Sequence, residues 1–326
     1  MTSHVTVSVS DTLPVVRAAL LADARPERRW LVESLWARAG VGIVGGAPKC
    51  CKSWLALDLA LSVASNTPCL GRFPVHDPGP ALVYLAEDAP TDLKLRLSGL
   101  CRHRGLDLAR VPLDVITAPA LRLDLDRDRS RIDRTLRAHT PRMLLLDPFV
   151  RLHRVDENSA ADVSALLAFL REMQREHDVA IVVVHHAKKG GTVHAGQALR
   201  GSGDFHAWTD SAVYVRRLRD HLAVTVEHRA APAPEPFDLA LVAIDDGPAH
   251  LDIIEPDDAT ATTHSDLRAR LLELIAARPD GISRDDLRSA LHVRNERIGP
   301  LLAALAKDGF LTRERGNWKT VPVPQP

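Results

Sequence analysis

A chain of 326 residues, 45% hydrophobic and 26% charged, has the proportions of an ordinary folded protein, and at about 150 residues per domain it has room for two domains; disorder throughout is excluded. Forty-two basic residues stand against forty-two acidic ones, so the molecule is no polybasic nucleic-acid coat, and any DNA-binding surface must be a local patch. No apolar run reaches the roughly 18–20 residues of a membrane span, and the first residues lack a basic stretch followed by an apolar one; a cytoplasmic protein with no membrane partner is expected.

Residues 1–28 read as a polar, Arg/Ala-rich arm with one short helix around Val15–Ala24 and no assigned chemistry. A domain over residues 29–252 follows. Its apolar run Val41–Gly46 meets a glycine-rich turn, and Trp54–Leu61 then reads as a buried helix of good helix formers. Further apolar runs at Ala81–Ala86, Leu113–Ile116, Met143–Leu146 and Ala180–Val184 alternate with helical stretches, which predicts a mostly parallel α/β sheet covered on both faces. Val213–Val215 and Leu222–Val226 have no long helix between them, so antiparallel strands should finish the sheet.

The small, polar segment 253–265 reads as a linker. Over residues 266–326, Leu267, Leu271, Leu274 and Ile275 share a helical face, Ser283 and Asp286 resemble a capping box, and Ile298, Leu302 and Leu305 repeat the helical spacing. Phe310–Thr312 and Trp318–Thr320 flank the turn Arg315-Gly316-Asn317, as in a β-hairpin. Helices followed by a hairpin predict a winged helix-turn-helix domain. Gly299-Pro300 predicts that its third helix starts late or kinks there. From Arg288 onward seven basic residues outnumber three acidic ones: Arg294 and Arg297 would lie at the start of the recognition helix, and Arg313, Arg315 and Lys319 would reach phosphates from the wing.

The segment Gly45-Gly46-Ala47-Pro48-Lys49-Cys50-Cys51-Lys52-Ser53, with Trp54 after it, has the layout of a phosphate-binding loop. The backbone from Gly46 through Trp54 would cradle the phosphates of ATP with the N–H groups of every residue but Pro48, Lys52 would reach the β and γ oxygens, and the Ser53 hydroxyl would sit on Mg²⁺. Cys51 replaces the second glycine of the pattern, where the chain curls tightly and a side chain costs on the order of 1–3 kcal/mol. The adjacent thiols Cys50 and Cys51 also raise the idea of an oxidation-sensitive loop. Two acids close apolar strands: Asp147, suited to hold Mg²⁺ through water, and Glu87, suited to polarise the attacking water, with Asp88 as its competitor. His185 and His186 end another strand, where a neutral donor could sense the γ-phosphate.

Taken together, GGAPKCCKSWLALDLALSVAS, LVYLAED, LLLDPF, IVVVHHAKK, ALRGSGDFHAWTDSAVYVRR and VEHRAAPAPEPF resemble the RecA-like core of the RepA-type hexameric replicative helicases, AAA-type P-loop ATPases related to the DnaB-type helicases. The resemblance spans roughly residues 28–243. It implies ATP hydrolysis with Mg²⁺ at subunit interfaces of a homo-oligomeric, hexameric ring, with single-stranded DNA in the pore and duplex DNA as a further target of the winged helix. By that resemblance Lys52 and Ser53 look like the Walker A pair, Asp147 the Walker B carboxylate, Glu87 the catalytic glutamate, and His186, with His185 as alternate, the γ-phosphate sensor. Arg229 looks like the arginine finger entering the neighbouring site, with Arg200 as the other choice. Two loops would face the pore: Arg151–Asn158, and Ala187–Gly203 with Lys188, Lys189 and Arg200. A helicase or translocase, a nucleotide-switched loading protein and an adaptor whose nucleotide sets its oligomeric state are the three function classes left open.

Overall fold

The computed structural model describes residues 15–20, 29–157, 159–186, 202–218, 221–242, 249–254, 268, 271–278, 281–291, 295–314 and 317–320. The chain divides into two compact units, Met1–Ile253 and Ile254–Pro326. Of the N-terminal arm, Ala18–Leu20 form a single 3₁₀ turn.

Eleven strands follow among the described residues of the first unit. β1 (Trp30–Val32) and β2 (Trp36–Ala37) make a small antiparallel pair. β3 (Val41–Gly46), β4 (Ala81–Leu85), β5 (Leu113–Val115), β6 (Met143–Asp147), β7 (Ala180–His186), β8 (Ser211–Arg217), β9 (Leu222–His228), β10 (Phe237–Val242) and β11 (His250–Ile254) form one sheet in the order β11-β10-β9-β8-β3-β7-β6-β4-β5. The six strands from β8 to β5 run parallel, whereas β9 and β10 are antiparallel additions. The expected change from parallel to antiparallel pairing thus occurs at β8–β9. The helices are α1 (Lys52–Ser65), α2 (Pro90–His103), α3 (Asp126–His139), α4 (Ala160–His177) and α5 (Ser202–Trp208).

Side chains alternate across a strand, and here both alternating sets are apolar. Val44, Leu145, Val182 and Val184 point to one face, where Leu55, Leu59, Leu93 and Leu97 of α1 and α2 cover them. Ile43, Leu144, Leu146, Ile181 and Val183 point to the other, under Ile132, Leu136, Val163, Leu167 and Leu170 of α3 and α4. Burial on both faces is why these strands read as unbroken apolar runs. Helix α1 is buried along nearly its whole length, from Lys52 to Ala64, which explains why its sequence is apolar all round rather than striped.

After β3 the chain crosses to β4, three positions away, and the later strands β6 and β7 fill the gap between them. The carboxyl ends of these parallel strands share one edge, and a change in the direction of winding opens a crevice there. The loops after β3, β4, β6 and β7 therefore meet.

In the second unit residues 271–276 are helical, followed by α6 (Arg284–Leu291), α7 (Asn295–Lys307) and the antiparallel pair β12 (Leu311–Glu314) and β13 (Asn317–Thr320). Leu271, Ile275, Ile282, Leu287, Leu302, Leu305 and Leu311 form a separate small core. Ser283 caps α6: its Oγ accepts from the Asp286 N–H at 3.1 Å and donates to the Asp286 carboxylate at 2.7 Å. Helix α7 does not start late. It begins at Asn295 and runs through Gly299-Pro300; Pro300 has no N–H to donate back to the Glu296 carbonyl, and the remaining helical bonds carry the chain past it.

Candidate nucleotide site

The phosphate loop begins at a close approach of β3 to β8. A Cβ on Gly46 would lie 2.2 Å from the Val215 carbonyl oxygen and 2.8 Å from Cys50 Sγ, so only glycine lets the strand pass there. Beyond it Lys49 and Cys51 both adopt left-handed backbone, with φ of 63° and 62°. Cys51 is the N-cap residue of α1, and its side chain makes no capping bond. The first-turn N–H groups of α1 are thereby left to an anion, which the helix dipole also favours. The left-handed conformation at Cys51 is the tight curl inferred from the missing glycine. For a residue with a Cβ it costs about 1–2 kcal/mol.

The loop's basic groups are folded onto its own carbonyls. Lys52, almost fully buried, donates from Nζ to the Ala47 carbonyl at 2.7 Å. Burial pulls its pKa down, and the nearby Cys50 and Asp147 push it back up. Arg217, at the carboxyl end of β8, donates from Nε to the Lys49 carbonyl at 3.0 Å and from a terminal nitrogen to Cys51 Sγ at 3.1 Å. Cys50 is fully buried 3.8 Å from Lys52 Nζ, and burial pushes its thiol pKa up. A buried, protonated thiol is a poor target for oxidation, which removes Cys50 as an oxidation sensor.

Register brings the other candidates to this edge. His185 and His186 pair with Gly45 and Gly46 across β3–β7, and Asp147 pairs with Leu85 across β4–β6, two residues before Glu87. An open cleft of about 260 Å³ is lined by Lys49, Cys50, Cys51, Lys52, Ser53, Trp54, Glu87, Arg96, Asp147, Val184 and His186. The histidine pair splits by strand alternation: His186 faces the cleft, whereas His185 is buried on the opposite face, stacked on the Phe205 ring at 4.3 Å. Of the two acids, Asp88 is bound to Arg96 at 2.8 Å, and Glu87 lines the cleft with Oε1 accepting from Arg151 Nε at 2.7 Å.

Asp147 is 5% exposed, and its Oδ2 has no hydrogen-bond partner among the described residues. Burial raises its pKa to about 6, opposed by a hydrogen bond from Ser53. An orphaned carboxylate oxygen beside a hydroxyl, with a cleft in front of both, is a donor set that suits Mg²⁺.

The remaining candidates lie elsewhere. His228 pairs with Ser211, and Ser211 with Gly42 at the start of β3, so Arg229, one residue further and level with Val41, sits at the opposite edge of the sheet, roughly 16 Å along the strand direction from Gly46 at ~3.3 Å per residue. Its Nε lies 3.6 Å from Asp210 Oδ1, and it donates to the Ala207 carbonyl. Lys188, Lys189, Arg200, Arg294 and Arg315 lie outside the described residues. Arg297 falls on α7, Arg313 is exposed on β12 with its guanidinium 5.7 Å from the Trp318 ring, and Lys319 is on β13.

Sequence reasoning gave no part in the cleft to three arginines: Arg96, which lines it with its guanidinium 5.4 Å from the Trp54 ring, Arg217, which reaches the loop, and Arg151, expected only as the start of a pore-facing loop, which reaches Glu87. Only Arg217 carried a signal, because a basic pair ending a strand parallel to β3 must lie at the loop's edge. A second polar cluster, His103, His250 and Asp252, brings its ligand atoms within 4.8 Å of one another. The two imidazoles are stacked 3.6 Å apart and 18° from parallel, however, so their in-plane lone pairs cannot converge on one metal ion.

A family model described as an AAA domain matches residues 7–192, more than half of the chain. The chain belongs to this family. Among solved structures, one titled "ATPase Domain of G40P" is similar with a TM-score of 0.50 and 15% sequence identity, covering 63% of this chain and 82% of that one. Another, titled "The Structure Of A DnaB-Like Replicative Helicase And Its Interactions With Primase", has a TM-score of 0.49 and 14% identity, covering 63% of this chain and 56% of that one. No curated protein matches. The α/β RecA-like P-loop fold of the first unit is thus shared with a solved ATPase domain. No helix among the described residues is long and apolar enough to cross a membrane.

Two substitutions test the site's energetics. Cys51→Gly removes the left-handed strain and should fold with stability equal to the parent or up to about 1–2 kcal/mol higher in denaturant titration; a clearly less stable variant would show that the Arg217 contact outweighs the strain. For Asp147 the folded-state pKa of about 6 stands above the ordinary 3.8. Its contribution is therefore fully present below pH ~4 and lost as pH rises through ~6. In metal-free buffer Asp147→Asn should be more stable than the parent at pH 8, by up to roughly 3 kcal/mol, with the gap closing toward pH 4. A gap that does not change with pH refutes this account.

Proposed function

We propose that the chain is an ATP-dependent DNA helicase or translocase of the RepA type, assembling as a hexameric ring and acting on single-stranded DNA in the replication of a plasmid, phage or mobile element. The observation that carries this reading is the convergence of Lys52, Ser53, Glu87, Asp147 and His186 on one cleft in front of an uncapped helix start. A fold shared with a structure titled as an ATPase domain supports the same chemistry.

In this reading the α1 amides and Lys52 bind the phosphates of ATP, and Lys52 exchanges the Ala47 carbonyl for phosphate oxygens. Ser53 and Asp147 would hold Mg²⁺, which when bound neutralises charge developing on the phosphates. Glu87 holds and polarises the attacking water, and His186 senses the γ-phosphate from the end of β7. Arg229 lies at the far edge of the sheet, half exposed, so it can act only in a neighbouring subunit's site, which supports its role as the arginine finger. Lys188, Lys189 and Arg200 would track the phosphate backbone in the pore. The second unit's helices and hairpin support a winged helix on duplex DNA, with Arg294, Arg297, Arg313, Arg315 and Lys319 as its contacts.

The left-handed Cys51 and the ion-paired Glu87 favour a second reading, a nucleotide-switched loading ATPase that turns over slowly and does not unwind. Steady-state ATP hydrolysis with and without single-stranded DNA, against Lys52→Ala as the blank, tests the first. DNA-stimulated turnover that vanishes in the mutant is expected. Turnover at the blank's level with nucleotide still bound would overturn the motor in favour of the switch. Arg229→Ala should reduce hydrolysis to the blank while nucleotide binding persists, and a variant with full turnover would refute the finger assignment.

A further inference from the structure

Arg151 belongs to a turn whose base cannot easily move. Phe149 and Leu152 on either side of it are fully buried, whereas Val150, Arg151 and Arg154 are exposed. The turn directly follows Asp147, so it lies at the mouth of the cleft, and from there Arg151 Nε reaches Glu87 Oε1 at 2.7 Å. Among the described residues, Glu87 is thus the one acid of the cleft whose partner comes from outside it. The side chains of the pair are 62% and 48% exposed, and a pair so open to water is weak, held in its closed state by only a few-fold.

A carboxylate engaged by a guanidinium is a poor acceptor for a water proton. Its lone pair is already directed at a donor, so the water would have to displace the guanidinium before it could donate there. Arginine also binds a phosphodiester at least as well as a carboxylate, often through two donors at once, and Arg154 three residues on adds a second cation to the same exposed turn.

We propose that Arg151 is a latch that holds Glu87 away from the attacking water until a nucleic-acid phosphate draws the arginine off. This rests on the reading of Glu87 as the acid that polarises that water. The latch ties hydrolysis to DNA occupancy through a single side chain, with no movement of the sheet. Arg151 is a positioning residue in this scheme and touches no reacting atom.

The experiment measures ATP turnover of the full chain, parent and Arg151→Ala, with and without a thymidine oligonucleotide, alongside the oligonucleotide's affinity at several salt concentrations. Without DNA, Arg151→Ala should turn over about two- to five-fold faster than the parent. Its stimulation by the oligonucleotide should shrink by the same factor. Its affinity should weaken, with a salt dependence shallower by about one counterion. Arg151→Lys, which keeps the charge but not the fork, should fall between the two. A variant slower than the parent without DNA overturns the latch, because the arginine would then be aligning Glu87 for reaction. A variant with undiminished DNA stimulation overturns it as well. Parent and variant both at the Lys52→Ala level overturn the assignment of hydrolysis itself, and the latch with it.

Discussion

Everything at the cleft depends on six strands running parallel, because only then do their carboxyl ends share an edge. Gly46, Leu85, Asp147 and His186 are far apart in the chain, yet the pairings Gly46↔His186 and Leu85↔Asp147 set them side by side. No residue at the site chooses this position for itself. It follows from buried Val, Ile and Leu runs that fix register through packing on both faces, and from α1, whose burial on all sides leaves its first turn at that edge. A register slip by one residue would exchange His185 with His186 and turn His186 into the core.

The same burial makes the site electrostatically expensive. Asp147 sits almost dry with an unpartnered oxygen, and Lys52 is nearly as buried. Their mutual attraction offsets part of the desolvation, but burial remains the dominant influence on both. Elsewhere the first unit solves this problem by pairing: Asp58 on α1 forms an ion pair with Arg104 at 2.5 Å and accepts from the Leu70 N–H at 2.8 Å, the acid being buried and the base nearly so. The cleft lacks such closure at Asp147, whose orphaned oxygen faces a cleft beside a hydroxyl and so marks a place suited to a ligand.

Much of this was legible in the sequence, for identifiable reasons. Strand and helix alternation, the antiparallel finish at β8–β9 and the loop at Cys51 all follow from local pattern, because two-faced burial writes itself as apolar runs and a left-handed turn as a missing glycine. The choice between Glu87 and Asp88 was not legible, since it depends on Arg96, whose pairing with Asp88 is decided by how α2 packs. Nor could His185 and His186 be separated without knowing which face of β7 lies toward α1. Of the two expectations at Gly299-Pro300 the late start failed, because the helix already runs from Asn295 through the proline. Arg151 and Glu87 are 64 residues apart, and no spacing rule pairs them.

The arginines explain how so basic a loop is stable by itself. Lys52 and Arg217 donate to the carbonyls of Ala47 and Lys49, while Arg96 is ion-paired with Asp88 and Arg151 with Glu87. Each partner is a group of the site itself, so the cleft is internally paired rather than a bare cluster of like charges. A nucleotide must therefore exchange partners rather than simply add them. Its affinity is the difference between what the phosphates offer these cations and what the carbonyls and carboxylates already give them. Such exchange has a consequence for chemistry as well as binding. Nucleotide phosphates that draw Lys52 and Arg217 away release the Ala47 and Lys49 carbonyls, whereas Glu87, the one acid among these partners able to act on water, keeps Arg151 until a nucleic-acid phosphate takes it. The pairing that keeps the site stable is the same pairing that keeps it idle.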